Sequence, residues 1–282
     1  MLEVKQIGKR FSGFHLEEIS FSLPPGYIMG VIGANGSGKS TLLSIISGLY
    51  TMDAGSVCIG GYDLVREEKA AKNKIGFVFS EELFQPALSL LENARYYGRY
   101  YDAFEEAVFL QFCKEFSLDA SQRLRRQSKG EKLKFQYAFA LSHNPELLVI
   151  DEASASFDPE FREAFLRTLT QFVADGAHSV VLCTHLLEEL EQIADYITFL
   201  DKGKLVLSLE KELLYDSYRL VMGEDYKINL IPKERMVAKE KGSYATKALV
   251  RHNKYITYDA AVSVERPTLS DLMYYTVKGG LL

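Results

Sequence analysis

Residues 33–41 combine glycines with the residue types that bind a triphosphate. Residues 33–40, Gly-Ala-Asn-Gly-Ser-Gly-Lys-Ser, fit the spacing G-x-x-x-x-G-K-[ST]. Glycines let consecutive backbone N–H groups point at one anion, and a following helix adds the partial positive charge of its N-terminus. Lys39 would then lie between the β- and γ-phosphates, with the Ser40 hydroxyl on Mg²⁺ and Thr41 near the α-phosphate. The other predicted nucleotide-binding residues of this loop are Asn35, Gly36, Ser37 and Gly38.

Polar residues follow two apolar runs further along the chain. Asp151-Glu152 follow residues 147–150, and Thr184-His185 follow residues 179–183. Such runs are typical of buried parallel strands, and the ligand of an open α/β sheet lies beyond the carboxyl ends of its strands. There Asp151 would hold the metal, and Glu152 would orient or deprotonate the attacking water. His185 is a candidate for contact with the γ-phosphate, and the alternative is a structural histidine. For Asp151 and Glu152 the alternative is a pair of ordinary surface acids.

The elements that must position these residues can be read from the hydrophobic pattern. Residues 27–32 predict a buried strand, and apolar residues at helical spacing from Lys39, ending at Gly48, predict a helix. Residues 2–7 and 19–23 alternate apolar and polar, which is typical of an antiparallel sheet. An aromatic residue in the intervening segment 9–14, which carries Phe11 and Phe14, could stack on a purine or pack on the sheet, and the sequence leaves both open.

The composition narrows the classes of function. The chain has 282 residues, 47% of them hydrophobic and 25% charged, as in an ordinary globular protein. The net charge of −5 gives no general electrostatic reason to bind nucleic acid. We expect no membrane-spanning segment and no secretion signal at the N-terminus, because no apolar run reaches the necessary length. Three widely spaced cysteines predict reduced core thiols, not a metal site.

Three further segments have the patterns of helices or of helix starts. Residues 84–116 carry aromatic side chains at helical spacing, which predicts a helical insert whose rings are mostly core, although some could line a groove for a partner's helix. Ser128 and Glu131 have the spacing of a capping box ahead of an apolar helical run. Asp158 before Pro159 is a normal N-cap, so capping alone would explain it.

In their order and separation, these motifs resemble the nucleotide-binding subunit of the ATP-binding-cassette (ABC) transporter family. The resemblance covers about residues 1–210 and rests on GANGSGKST at 33–41, QSKGE at 127–131, LLVIDE at 147–152, SFD at 156–158 and TH at 184–185. It implies an α/β fold: a P-loop NTPase (RecA-like) core with an antiparallel β subdomain, a helical subdomain at about 81–140, and a small C-terminal α+β extension over 211–282.

The same resemblance implies an ATPase that uses ATP and Mg²⁺. Two such domains, as a homodimer or a heterodimer, would pair head to tail with ATP between them, and Ser128 and Gly130 of one would reach the γ-phosphate held by the other. Phe11 matches the adenine-stacking aromatic, Asp158 the residue that signals between the two sites, and His185 the switch histidine. Integral membrane permease subunits would be the further partners, holding the protein at the cytoplasmic face of the membrane.

The sequence departs from the family pattern at two motifs. Gln127, Lys129 and Glu131 replace common signature residues, and the glutamine expected after residues 75–79 is absent, with Ser80 in its place and Glu81 next. Which of these two residues, if either, contacts Mg²⁺ or water stays open.

The C-terminal region predicts a hairpin at 247–258 around Asn253-Lys254, and a last helix that begins at a Thr268–Asp271 capping box and ends at Gly279-Gly280. The segment 266–275 resembles the tails of bacterial exporter-type cassettes, which favours an exporter. The rival hypothesis is a soluble ABC ATPase acting on ribosomes or DNA. Such proteins usually carry two cassettes or a long coiled-coil insertion, and this sequence predicts neither.

Overall fold

The structure is a computed structural model that describes residues 1–81 and 83–279. In the first half of the chain the elements are β1 (Leu2–Phe11), β2 (Phe14–Leu23), β3 (Ile28–Ile32), α1 (Lys39–Ile46), β4 (Ala54–Ile59), β5 (Tyr62–Asp63), α2 (Glu68–Asn73), β6 (Ile75–Phe79), α3 (Leu90–Gly98), α4 (Glu106–Glu115) and α5 (Lys129–Leu141).

In the second half they are β7 (Leu147–Asp151), α6 (Pro159–Val173), β8 (Ser179–Cys183), α7 (Leu187–Ile193), β9 (Tyr196–Asp201), β10 (Lys204–Glu210), α8 (Lys211–Ser217), β11 (Tyr218–Gly223), α9 (Asp225–Ile228), β12 (Met236–Lys241), β13 (Thr246–Arg251), β14 (Ser263–Glu265) and α10 (Leu269–Gly279). Short 3₁₀ turns lie at Leu124–Arg126 and Ser154–Ser156.

A ten-stranded sheet organises the first 210 residues in the order β5-β4-β1-β2-β10-β9-β3-β8-β7-β6. The strands β9, β3, β8, β7 and β6 run parallel, and β1 pairs antiparallel with β2 and β4. Every residue of β3, β7 and β8 is buried, because each face of the sheet carries its own hydrophobic cluster. The predicted strands are confirmed, and β1 and β2 extend further than their alternating segments indicated.

The helical insert predicted over 84–116 is confirmed as α3 and α4, which pack with the following helix α5 through aromatic side chains. Phe84 makes edge-on contacts with Phe135 and Phe139, with ring centroids 4.9 and 5.3 Å apart. Phe109 is fully buried, whereas Tyr100 is 62% exposed. The insert therefore supplies both core and an exposed aromatic surface.

The C-terminal region is a separate four-stranded antiparallel sheet, β12-β13-β11-β14, with α10 packed on it. The predicted hairpin at 247–258 is wrong: β13 ends at Arg251 and pairs with β11 and β12. Asn253 accepts a hydrogen bond from the backbone N–H of Tyr255, which turns the chain there, and the next strand is β14.

The last helix begins as predicted. The backbone N–H of Thr268 donates to Asp271, and the N–H of Asp271 donates to the Thr268 hydroxyl. The predicted end at Gly280 lies outside the described residues. Among the residues that the structure describes, no helix has the length and apolarity needed to cross a bilayer.

One buried histidine, beside the helical insert, makes the stability of the fold sensitive to pH. The ring of His143 stacks on Tyr101 with centroids 3.9 Å apart, and among the described residues its Nδ1 has no hydrogen-bond partner. Burial lowers the pKa of His143 to about 4. The unfolded chain therefore binds a proton near pH 6.5, whereas the folded chain binds it only near pH 4. The free energy of unfolding consequently decreases as the pH falls from 6.5 towards 4.

We predict that His143→Phe, which keeps a stacking ring but cannot titrate, removes this acid sensitivity. Between pH 7.5 and pH 5 the wild type should lose about 2 kcal/mol more unfolding free energy than the variant. Urea unfolding at the two pH values measures the difference. Equal losses in both proteins would contradict the assignment to His143.

Candidate functional site

The glycine-rich loop joins β3 to α1 and is held in place by close backbone contacts. Gly33 has a φ of 152°, and a Cβ there would lie 2.2 Å from the carbonyl oxygen of Leu200. At Gly38 (φ 105°) a Cβ would lie 2.6 Å from Leu16. Lys39 is buried, and its ammonium donates to the carbonyls of Gly33 and Ala34 at 2.9 and 3.1 Å. The cation is thus held directly against the loop.

The predicted metal ligands lie together at the end of β7. Asp151 is 7% exposed, and the Ser40 hydroxyl and the Cys183 thiol hydrogen-bond to its carboxylate. Burial raises the pKa of Asp151, and those two hydrogen bonds partly oppose the rise. Its Oδ1 atom has no hydrogen-bond partner among the described residues. A buried unpaired carboxylate oxygen beside a hydroxyl fits Mg²⁺, which prefers oxygen ligands.

Glu152 and His185 contact each other at the same sheet edge. His185 Nε2 lies 2.8 Å from Glu152 Oε1, and both side chains are partly exposed. Glu152 adopts a φ of 52°, uncommon for a residue with a side chain, and its N–H donates to the carbonyl of Cys183 at 2.9 Å. An open pocket of about 580 Å³ is lined by this pair together with Phe14, Asn35, Gly36, Gly38, Lys39, Ser40 and Thr41.

Ser128, Gly130 and Asp158 lie outside this pocket lining. Ser128 caps α5, and its hydroxyl accepts from the N–H of Glu131 at 3.2 Å, so the predicted capping box is confirmed. A Cβ at Gly130 would lie 2.8 Å from the carbonyl oxygen of Ser156, which explains the glycine by close packing. Asp158 caps α6 and accepts from Lys134 at 3.2 Å. The nucleotide-binding roles predicted for these three residues therefore require a second molecule whose nucleotide they would contact.

The aromatic residue on the pocket wall is Phe14, which the family resemblance passes over in favour of Phe11. Phe11, the predicted adenine-stacking residue, faces Phe14 in the register of β1 and β2. The Phe11 ring packs against Tyr50 with centroids 5.9 Å apart and is 39% exposed. An aromatic pair across a hairpin is the signal that could have found Phe14, since both residues flank one tight turn.

A second missed feature is the turn between β9 and β10, which braces the loop. Lys202 and Gly203 both have positive φ, 46° and 81°, which suits a tight hairpin turn. The N–H of Gly203 donates to the carbonyl of Ser37 at 3.0 Å, and its own carbonyl accepts from Glu17 at 2.9 Å. The turn thus ties the phosphate loop to β2.

Ser80, which replaces the expected glutamine, lies against the two acidic residues. Its hydroxyl oxygen is 3.4 Å from the carbonyl oxygen of Asp151 and 3.5 Å from that of Glu152. The carbonyl of Glu81 instead accepts a hydrogen bond from Gln136 at 3.4 Å. The Ser80 hydroxyl therefore lies against the backbone of the two acidic residues.

Comparison with known proteins agrees with this geometry. Residues 16–155 match the family model described as ABC transporter. The chain is 34% identical over 212 residues to the linearmycin resistance ATP-binding protein LnrL of Bacillus subtilis (strain 168), covering 73% of this chain and 68% of that protein. The chain belongs to the ABC transporter family. It is an ABC ATPase domain and binds nucleotide.

Other members show the spread of named functions and the shared fold. The Nod factor export ATP-binding protein I of Cupriavidus pinatubonensis is 27% identical (77% of this chain, 68% of that protein), and the methionine import ATP-binding protein MetN of Protochlamydia amoebophila is 29% identical (73% and 65%). The ATP-binding subunit of an ABC transporter superposes with a TM-score of 0.69 at 27% identity (76% of this chain, 91% of that chain). The dimeric structure of MJ0796, a bacterial ABC transporter cassette, gives 0.66 at 25% identity (74% and 98%). The predicted ABC ATPase fold is confirmed.

We predict that Gly203→Ala weakens both the fold and ATP binding, because a Cβ there would lie 1.8 Å from the carbonyl oxygen of His15. Gly13→Ala is the matched control: its φ is 87°, but nothing lies within 4 Å of a Cβ. The control should lose about 1 kcal/mol from backbone strain alone. Gly203→Ala should lose at least about 3 kcal/mol and bind ATP about tenfold more weakly. Equal effects in thermal unfolding and ATP titration would contradict the bracing role.

Proposed function

We propose that this ATPase hydrolyses ATP with Glu152 as the residue that aims or deprotonates the water. The 2.8 Å contact between Glu152 and His185, beside Lys39, carries the proposal. Lys39 would neutralise the β- and γ-phosphates, and His185 would donate a hydrogen bond to the γ-phosphate. Because His185 can also hold the Glu152 carboxylate, it would orient the base as well as the phosphate.

We also propose that Ser40 and Asp151 hold Mg²⁺ beside the phosphates. When bound, the ion would neutralise charge on the phosphate oxygens. The unpaired Asp151 oxygen and the adjacent Ser40 hydroxyl support this site. Of the two candidates for the missing glutamine's place, the Ser80 hydroxyl is the group that lies against the Asp151 and Glu152 backbone.

The active unit we propose is a head-to-tail dimer with ATP between two cassettes. The nucleotide pocket is open to solvent on one side, and Ser128 is exposed at the N-terminus of α5, away from that pocket. A helix N-terminus with exposed N–H groups suits an anion. Ser128 and Gly130 of one copy would therefore close over the γ-phosphate on the other, Asp158 would face the second site, and Phe11 would approach adenine. Either identical or different cassettes can form such a dimer.

We propose that the protein drives export through separate membrane permease subunits, which would hold it at the inner face of the membrane. Residues 1–210 would form the ATPase domain, with the helical subdomain at about 81–140, and residues 211–282 an accessory region. The names of two relatives, for linearmycin resistance and Nod factor export, support this direction, while a methionine importer is also among the relatives. The rival, an ABC ATPase acting on ribosomes or DNA, has no supporting motif here.

We propose that a helix of the permease binds a groove beside the helical insert. A cavity of about 630 Å³ lies between α2 and the aromatic insert, with Phe77, Tyr97 and Tyr101 among its walls. Lys69 and Lys72 lie at the α2 side, paired with Asp102 and Glu68. An apolar floor with a charged rim fits an amphipathic helix.

We predict that Glu152→Gln binds ATP as tightly as the wild type, forms an ATP-dependent dimer and loses at least about a hundredfold in turnover. The amide keeps the shape of the carboxylate but cannot accept the water proton. Lys39→Ala is the contrasting variant and should lose ATP binding itself. Phosphate release and size-exclusion chromatography with ATP make the comparison. Wild-type turnover in Glu152→Gln would remove Glu152 from its role.

We predict that Tyr100→Glu uncouples the cassette from its permease without altering ATP affinity, because it puts a charge at the edge of the aromatic groove. Tyr244→Glu, at a fully exposed position in the C-terminal region, is the control. Co-purification with the multi-spanning protein encoded beside this one should fall about tenfold for the first variant only. Unchanged recovery of Tyr100→Glu would place the permease elsewhere, and co-purification with ribosomes would favour the rival function.

A further inference from the structure

Gln136 of α5 hydrogen-bonds to the backbone of the edge strand β6. Its Oε1 accepts from the N–H of Phe79 at 2.9 Å, and its Nε2 donates to the carbonyl of Phe79 at 2.9 Å and to that of Glu81 at 3.4 Å. The side chain is 4% exposed. β6 ends the sheet and pairs with β7 on its other side. The amide therefore pairs with Phe79 as a residue of one more strand would.

The hydrogen bonds between Gln136 and Phe79, which we call the Gln136 bracket, lie beside the proposed catalytic residues. Phe79 is in register with Asp151 on β7, and the next residue, Ser80, lies against the carbonyls of Asp151 and Glu152. The helix that carries Gln136, α5, begins with Ser128 as its N-cap. One buried amide thus connects the helix that carries Ser128 to β6, the strand beside the one whose end carries the carboxylate pair.

The junction packs closely near the C-terminal end of α5, where a Cβ at Gly76 of β6 would lie 3.1 Å from the Ala140 Cβ. Toward the N-terminus of α5 it opens into a cavity of about 270 Å³, with Ser80, Glu81 and Lys129 among its walls. Side chains make fewer contacts across that space, so packing constrains the Ser128 end of α5 less. The directional hydrogen bonds of Gln136 supply the constraint that packing lacks there.

We propose that Gln136 is a positioning residue for ATP hydrolysis. It holds the Ser128 end of α5 in a fixed orientation to the strand ends of Asp151 and Glu152 in the same chain, so that Ser128 meets the γ-phosphate on the second cassette while the two carboxylates meet this chain's own. This inference rests on the proposed role of Ser128 in the dimer. Gln136 is buried and does not line the nucleotide pocket, so its loss impairs turnover and dimer closure but leaves the ATP affinity of one subunit unchanged.

The test compares Gln136→Leu with Asn93→Leu. Asn93 is a buried amide that brackets a backbone in the same way, accepting from the N–H of Gln85 and donating to its carbonyl at 2.9 and 3.0 Å, but it ties the helical insert only to itself. Both variants lose a comparable set of buried hydrogen bonds and should lose similar unfolding free energy. Gln136→Leu should lower kcat at least tenfold with ATP affinity within twofold, and Asn93→Leu should keep kcat within threefold. Equal loss of kcat in the two variants overturns the proposal.

Variants made in the Glu152→Gln protein distinguish a failure of the Gln136 role from a failure of the proposed dimer. The parent should dimerise with ATP, and Gln136→Leu in that background should raise the ATP concentration needed for the dimer at least tenfold. If the parent itself does not dimerise, the dimer mechanism fails, while the kcat comparison still judges Gln136. If the double variant dimerises like its parent, Gln136 does not position α5.

Gln136→Glu provides a variant that keeps the side-chain shape. A protonated carboxyl can still accept from the N–H of Phe79 and donate to its carbonyl, whereas a carboxylate would repel that carbonyl oxygen. Its kcat relative to wild type should therefore rise at least threefold as the pH falls from 9 to 6. A ratio that stays constant over this range contradicts positioning by these hydrogen bonds.

Discussion

The register of the parallel strands is the constraint on which this site depends. Val31 of β3 pairs with Cys183 of β8, Cys183 with Asp151 of β7, and Asp151 with Phe79 of β6. The four residues form one row across the sheet. The phosphate loop, His185, Glu152 and Ser80 all follow this row within a few positions, because parallel strands end at a common edge. A slip of one residue in any strand would move its functional side chain to the other face.

The site also carries features that do not favour stability. Asp151 holds a buried carboxylate oxygen without a partner in the part of the chain that the structure describes, burial raises its pKa, and Glu152 has a left-handed backbone conformation. Such features usually cost free energy and persist where function requires them. Rigid supports surround them: the Gly203 turn behind the phosphate loop, the Cys183 carbonyl under Glu152, and the Gln136 bracket on β6.

Much of this arrangement could be predicted from the sequence because it follows from local patterns. The G-x-x-x-x-G-K-S spacing, the apolar runs before Asp151 and His185, and the capping box at Ser128 each encode their own element. What could not be predicted depends on contacts distant along the chain. Nothing near Gly203 indicates that its N–H reaches Ser37, and nothing near Gln136 indicates Phe79. The failed hairpin at 247–258 has the same origin, since pairing with β11 and β12 outweighed the local turn signal.

In the proposed mechanism, one cassette's loop and a second cassette's Ser128 hold the same ATP. A structure of the Glu152→Gln protein, with its second cassette, ATP and Mg²⁺, tests this arrangement. We expect Lys39 on the β- and γ-phosphates and the Ser128 hydroxyl of the other copy about 2.7 to 3 Å from a γ-phosphate oxygen. ATP held by Lys39 with no second cassette over the γ-phosphate, or phosphates lying away from Lys39, would contradict it.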